Sequence, residues 1–112
     1  MAIKSNEYYL RVISIQLEGR VDAFNVAEVR EKVYSLIDSG GYRLVLDLSK
    51  VSFLDSMSMS IMVSSMKRAR TAGGNLKLVW PKLEDLQRTI RLAKFDAVFQ
   101  IYDTVDEAVN SF

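Results

Sequence analysis

The residues best suited to chemistry lie in one central segment, Phe53-Leu54-Asp55-Ser56-Met57-Ser58-Met59-Ser60. It places a serine hydroxyl directly after a carboxylate, where an apolar run gives way to a helical pattern. In open α/β sheets, functional groups commonly sit at such carboxyl ends of strands. The alternative is purely structural, because Asp55 or Ser56 would also cap the helix with its side-chain oxygen.

A phosphate on Ser56 would suit this position. It brings roughly −1.5 to −2 charge and three acceptor oxygens. A helix N-terminus offers free N–H groups and a partial positive charge, so it tolerates an anion. We therefore expect phosphorylation of Ser56 to leave the fold intact and to change the surface that a partner meets, as a binding switch requires.

Composition narrows the function classes. The 112 residues are 49% hydrophobic and 26% charged, contain no histidine and no cysteine, and carry a formal net charge of +1. The usual general base, zinc ligands and nucleophile pairs are therefore missing. The uncharged stretch from Ser56 to Met66 is about half of the roughly 20 residues that a membrane span needs. We expect a cytoplasmic protein that is not an enzyme, has no cofactor or metal, binds no nucleic acid and does not insert into membranes.

Strand and helix patterns alternate along the chain. Period-two or continuous apolar runs predict strands at Val12–Leu17, Leu44–Leu48, Leu76–Trp80 and Val98–Tyr102, with a weaker edge strand at Ala2–Asn6. Gly19 is predicted to end the first of these runs. Apolar stripes at helical spacing lie between the strands and after the last one. The pattern predicts helices packed on a mixed, mostly parallel sheet of four to five strands, with about four helices.

Two short patterns predict how helices begin. Asn25 with Glu28, and Thr104 with Glu107, have the spacing of a capping box. In the central helix three methionines at core spacing should face inward, whereas Met57 lies off that stripe and should be exposed to a partner.

Several motifs, taken in order, resemble the STAS family, and their spacing is most similar to that of bacterial anti-sigma-factor antagonists. These motifs are Gly19-Arg20-Val21-Asp22, Leu44-Val45-Leu46-Asp47-Leu48, Phe53-Leu54-Asp55-Ser56, Phe95-Asp96-Ala97-Val98-Phe99 and Val105-Asp106-Glu107-Ala108. The resemblance covers nearly the whole chain and implies a single STAS-like α/β domain over residues 1–112.

The resemblance implies a phosphorylation switch at Ser56. In the family, the kinase is itself the anti-sigma factor, an ATP-binding serine kinase with a histidine-kinase-like fold. The unphosphorylated antagonist binds it and frees the sigma factor, and a phosphatase is a further expected partner. Asp22 corresponds to the Gly-x-x-Asp aspartate near the phosphosite. We expect the partner surface to comprise Asp22, Asp55, Ser56, Met57 and Ser58.

The chain departs from the family pattern Asp-Ser-x-Gly-Leu-Gly. Ser58 and Ser60 replace the two glycines, and Met59 replaces the leucine. Because Ser58 lies in the first helical turn, we expect its side chain to be exposed beside Ser56. On that basis Ser58→Gly would cost no more than about 0.5 kcal/mol of stability.

A second function stays open at this point. A STAS domain that is not phosphorylated could serve as an accessory or scaffold subunit of a lipid-transport or signalling complex. A kinase gene beside this one would favour the antagonist, and a transporter operon would favour the accessory subunit.

Overall fold

The computed structural model describes residues 1–112 and contains five strands and five helices. In chain order they are β1 (Ala2–Tyr8), β2 (Val12–Val21), α1 (Val26–Asp38), β3 (Arg43–Leu54), α2 (Ser56–Thr71), β4 (Asn75–Val79), α3 (Glu84–Leu92), α4 (Phe95–Val98), β5 (Ile101–Tyr102) and α5 (Val105–Asn110). None of the helices combines the length and apolar character needed to cross a membrane.

The five strands form one sheet in the order β1-β2-β3-β4-β5. β1 and β2 are antiparallel and joined by a short 3-10 turn at Tyr9–Arg11. The remaining neighbours are parallel, and helices connect them, as parallel pairing requires. The predicted mixed, mostly parallel sheet is therefore confirmed, including the edge strand at the start of the chain.

One face of the sheet carries the main core. Its strand members alternate along the chain: Ile13, Ile15 and Leu17 in β2, Leu44, Leu46 and Leu48 in β3, and Leu76 and Leu78 in β4. Helices α1, α2 and α3 cover them with Val29, Val33, Met62, Met66, Leu86 and Ile90, among others. Since strand side chains alternate between faces, a one-residue slip in any strand would turn its core residues outward. This periodicity fixes the register and hence the position of each strand end.

The opposite face is covered by α5. Ala108 is fully buried there against Val12, Val45 and Val79. Lys77 points to the same side, where its Nζ donates to the carbonyl and hydroxyl oxygens of Ser111 at 3.0 and 2.7 Å and lies 4.0 Å from the Phe112 ring centroid. Burial lowers the pKa of Lys77. These contacts attach the last turn of the chain to the sheet.

Two predicted boundaries are wrong. Gly19 does not end β2, which continues to Val21. Its φ of +90° lies at a point where the β2–β3 register shifts, so this glycine serves a bulge, for which its freedom at positive φ is suited. The extension carries β2 to the edge of the sheet where β3 ends, so that Val21 pairs with Leu54.

The predicted strand at Val98–Tyr102 is also mostly wrong. Only Ile101–Tyr102 pairs as β5, and Phe95–Val98 forms the short helix α4. Phe95 and Phe99 are both buried, with ring centroids 5.0 Å apart. The four-residue spacing of a helical turn places these two rings on one side, and their burial overrides the local preference for a strand.

Candidate functional site

Helix α2 begins where β3 ends, and Asp55 is its N-cap. Its Oδ1 accepts a hydrogen bond of 2.8 Å from the backbone N–H of Ser58. This satisfies one of the N–H groups that a helix start leaves without an intrahelical partner. Of the two cap candidates in the sequence, the structure selects Asp55 and leaves Ser56 as the first residue of the helix.

The side chain of Ser56 is exposed and makes no hydrogen bond within the chain. The backbone N–H groups of Ser56 and Met57 likewise find no acceptor in the chain, because within α2 the Asp55 carboxylate accepts only from Ser58. A reachable hydroxyl therefore stands beside two free donors at the positive end of a four-turn helix. This arrangement suits an anion attached to Ser56.

The second carboxylate oxygen of Asp55 reaches a different element. Asp55 Oδ2 accepts a 2.8 Å hydrogen bond from the backbone N–H of Ala23, in the loop between β2 and α1. The backbone and hydroxyl donors of Ser58 are the main causes that lower the pKa of Asp55. Burial opposes them with a smaller effect than either, and the Ala23 donor lowers the pKa of Asp55 by a lesser amount still. Asp55 is therefore a carboxylate at neutral pH, shared between a helix start and a loop.

Asp22 and Asn25 organise that loop internally. Asp22 Oδ1 accepts from the Phe24 N–H at 3.0 Å, and its Oδ2 lies 3.9 Å from Nε of Arg20. The predicted capping box at Asn25 is wrong, because the Asn25 side chain makes no cap hydrogen bond to α1. It accepts from the Asp22 N–H at 2.9 Å and donates to the Arg20 carbonyl at 2.9 Å. The asparagine thus closes the loop instead of capping the helix. At Thr104 the hydroxyl does accept from the Glu107 N–H, as predicted.

The expectation that Ser58 is exposed is wrong. Ser58 has no exposed surface, and its hydroxyl lies 2.8 Å from both the Val21 carbonyl oxygen and Asp55 Oδ1. The end of β2 passes over the first turn of α2, so the side chain points into the fold. Burial removes Ser58 from the protein surface and makes its hydroxyl a link between β2 and Asp55.

Two exposed apolar side chains lie at the same end of the sheet as Ser56. Met57 is 51% exposed, which agrees with its position off the core stripe. Phe24 is 98% exposed and was not among the candidate residues from sequence. The sequence contained an indication of this residue, because a large aromatic side chain is unusual in a polar loop such as the one between Asp22 and Asn25. The structure brings Asp22, Phe24, Asp55, Ser56 and Met57 to the same end of the sheet.

A groove of about 500 Å³ also starts at Ser56. It runs between α2 and the α3–α4 connection and is lined by Ser56, Met59, Ser60, Val63, Ser64, Lys67, Ala93 and Phe95. Ser60, the second serine at a family glycine position, is therefore at the surface, in contrast to Ser58.

Replacing Ser58 by alanine should destabilise the fold. The change leaves the buried Val21 carbonyl without its side-chain donor, which we expect to cost about 1–3 kcal/mol. Ser60→Ala is the matched control because it removes an exposed hydroxyl two residues away, and it should change stability by less than about 0.5 kcal/mol. Urea denaturation of both variants measures this. Equal unfolding midpoints for the two would contradict the role assigned to the Ser58 hydroxyl.

Replacing Asp55 by asparagine should lower stability at neutral pH and change its pH dependence. The amide has one oxygen, so either Ser58 or Ala23 loses its acceptor. A lowered pKa in the folded state means that the unfolded chain binds more protons near pH 4. The contribution of Asp55 is therefore present above the usual aspartate pKa of about 3.9 and lost as pH falls through the lower folded value.

The difference in unfolding free energy between wild type and Asp55→Asn should accordingly shrink below about pH 4. Denaturation between pH 7 and pH 2.5 measures it. Asp103→Asn is the control, because that exposed carboxylate makes no hydrogen bond or ion pair within the chain. A difference that stays constant with pH would count against the shared carboxylate.

Comparison with known proteins gives curated relatives of similar length. The anti-sigma-B factor antagonist of Bacillus subtilis is 31% identical over 102 residues, which are 90% of this chain and 85% of that protein. A Thermotoga maritima relative is 34% identical over 73 residues, which are 65% of this chain. The aligned part spans 64% of that relative, just under two thirds of its length.

The fold is similar to solved structures. SpoIIAA, an anti-sigma factor antagonist, superimposes in its unphosphorylated form with a TM-score of 0.77 at 21% identity, covering 98% of this chain and 96% of that one. The phosphorylated form of Bacillus SpoIIAA gives 0.76 at 19% identity, covering 98% of each chain. The family model of the STAS domain matches residues 5–108, nearly all of the fold described above. The chain therefore belongs to the STAS domain family.

Proposed function

We propose that this chain is an anti-sigma-factor antagonist that binds an anti-sigma serine kinase and is released from it when Ser56 is phosphorylated. The observation that carries the proposal is the state of the α2 N-terminus. Asp55 makes the cap, so the hydroxyl of Ser56 is exposed, unbonded and next to two free backbone donors. The residue that we propose is modified makes no side-chain hydrogen bond, so a group added to it breaks none of the contacts that hold the fold together.

The relatives support the regulatory class. The Bacillus subtilis protein is named an anti-sigma-B factor antagonist, and a Mycobacterium tuberculosis relative, 25% identical over 99 residues, an anti-sigma-F factor antagonist. SpoIIAA keeps the present fold in both its unphosphorylated and its phosphorylated form. A fold of this kind therefore keeps its overall architecture when phosphorylated in at least one other protein.

The proposed switch is a surface event. The kinase transfers the γ-phosphoryl group of ATP to Ser56 Oγ. A P–O bond to serine forms as the bond to ADP breaks, and the hydroxyl proton passes to a base of the kinase. The free N–H groups of Ser56 and Met57 offset part of the added charge. In the kinase complex, however, the phosphate would have to shed its water between two proteins, next to the exposed Met57. Phosphorylation therefore opposes binding while α2 stays folded.

Phosphate should enter at Ser56 alone. Incubated with ATP and its kinase, selected among histidine-kinase-like ATPases of the same genome, wild type should gain one phosphate and Ser56→Ala none. Peptide mass spectrometry measures this. Ser60→Ala is the matched control, since its hydroxyl is also exposed but lies a turn further along α2. Stoichiometric phosphate on Ser60 that survives Ser56→Ala would relocate the switch. No phosphate with any such kinase would favour an unphosphorylated accessory subunit.

Phosphorylation should weaken binding without unfolding the chain. We expect the unphosphorylated protein to bind the kinase at least tenfold more tightly than the phosphorylated protein, about 1.4 kcal/mol or more. Isothermal titration with both forms measures the affinities, and calorimetric melting measures the stability. Since the helix start accommodates the anion, the melting temperature should shift only slightly. A sharp fall in melting temperature would mean that the switch acts through unfolding.

A further inference from the structure

Phe24 is the most exposed of the large apolar side chains, at 98% of its surface. It follows β2 in the loop at residues 22–25, at the site end of the sheet. Single apolar residues on a surface are common and need no function. A functional role needs a further observation, namely a backbone that keeps the ring in this exposed position.

The loop that carries the ring is held by hydrogen bonds at every position. Each of the five consecutive backbone N–H groups at residues 22–26 donates within the chain. The acceptors are Asn25 Oδ1 for Asp22 at 2.9 Å, Asp55 Oδ2 for Ala23 at 2.8 Å, Asp22 Oδ1 for Phe24 at 3.0 Å, and the Asp22 carbonyl for Asn25 at 3.1 Å and Val26 at 2.9 Å. An exposed loop can leave such donors to water, so this degree of internal bonding fixes the backbone under an unsupported ring.

One of these bonds ties the ring to the switch. Ala23, the neighbour of Phe24, is bonded to the carboxylate of Asp55, the residue before Ser56. Phe24 and Ser56 are therefore each the next residue after one partner of a 2.8 Å hydrogen bond, which brings their two chain segments together. A protein that engages Ser56 meets Phe24 on the same surface.

We propose that Phe24 is an anchor residue that inserts into an apolar pocket of the kinase that acts on Ser56. The inference rests on the proposed function. A phenylalanine ring contributes a large apolar area on burial, and a fixed backbone lowers the ordering cost of placing it. Binding energy in protein interfaces is concentrated in a few anchors of this kind. Beside such an apolar contact, water cannot fully hydrate a phosphate on Ser56. The anchor therefore increases the loss of kinase affinity that phosphorylation causes.

The first test compares two exposed aromatic residues at opposite ends of β2. Tyr9 is 88% exposed in the β1–β2 turn, before the first residue of β2, whereas Phe24 follows its last. A strand of this length separates them by roughly 30 Å at about 3.3 Å per residue. Phe24→Ala and Tyr9→Ala both remove an exposed ring, so both should keep the unfolding midpoint of wild type.

Titration against the purified kinase that phosphorylates wild type should show at least tenfold weaker binding for Phe24→Ala. Tyr9→Ala should bind within twofold of wild type. The second readout is direct contact. With p-benzoylphenylalanine in place of Phe24, the unphosphorylated chain should crosslink to the bound kinase on irradiation. The same residue in place of Tyr9 should give no crosslink to the kinase.

The outcomes separate the two proposals. If wild type binds the kinase and Phe24→Ala binds within twofold of it, the anchor is refuted while the antagonist function stands. Crosslinking from position 9 but not from position 24 would also refute it. If no kinase binds or phosphorylates wild type, the proposed function and the anchor fall together.

Discussion

The site depends on the carboxylate of Asp55. One oxygen caps α2 through Ser58, and the other holds Ala23 in the loop after β2. Two stretches that are distant in sequence, the loop after β2 and the junction between β3 and α2, are thereby joined through a single ionised group. The donors that surround it lower its pKa, so the link persists at neutral pH. Because two backbone elements share it, neither can move without breaking a short charge-assisted hydrogen bond.

This arrangement separates the residues that hold the fold together from the residue that we propose is phosphorylated. Asp55 and the buried hydroxyl of Ser58 hold the elements together, while Ser56 between them in the chain makes no side-chain hydrogen bond. A group added to Ser56 therefore meets a surface whose geometry is already fixed. The same rigidity extends to Phe24, which the loop presents to solvent.

Local patterns predicted most of the fold because its forces are local or periodic. Alternating apolar residues in β2 and β4 match the two faces of a sheet, and the methionine stripe of α2 matches a helix buried on one side. The errors occurred where distant packing decided the outcome. Phe95 and Phe99 form a helical turn because both rings enter the core, and Gly19 lies in a bulge set by its pairing with β3.

By itself the sequence determined the alternation of strands and helices as far as α3, the helix start beside Ser56 and the absence of histidine and cysteine chemistry. Those properties follow from residue type and short-range spacing. Only the tertiary structure decided which side chains the site exposes. The hydroxyl of the buried Ser58 meets the carbonyl oxygen of Val21, 37 residues away in the chain. The loop that exposes Phe24 is held by a hydrogen bond from the Ala23 N–H to Asp55 Oδ2. These two residues are 32 positions apart in the chain, and the two atoms are 2.8 Å apart in space. No short-range pattern encodes such contacts, since they arise only when separate strands end at the same edge of one sheet.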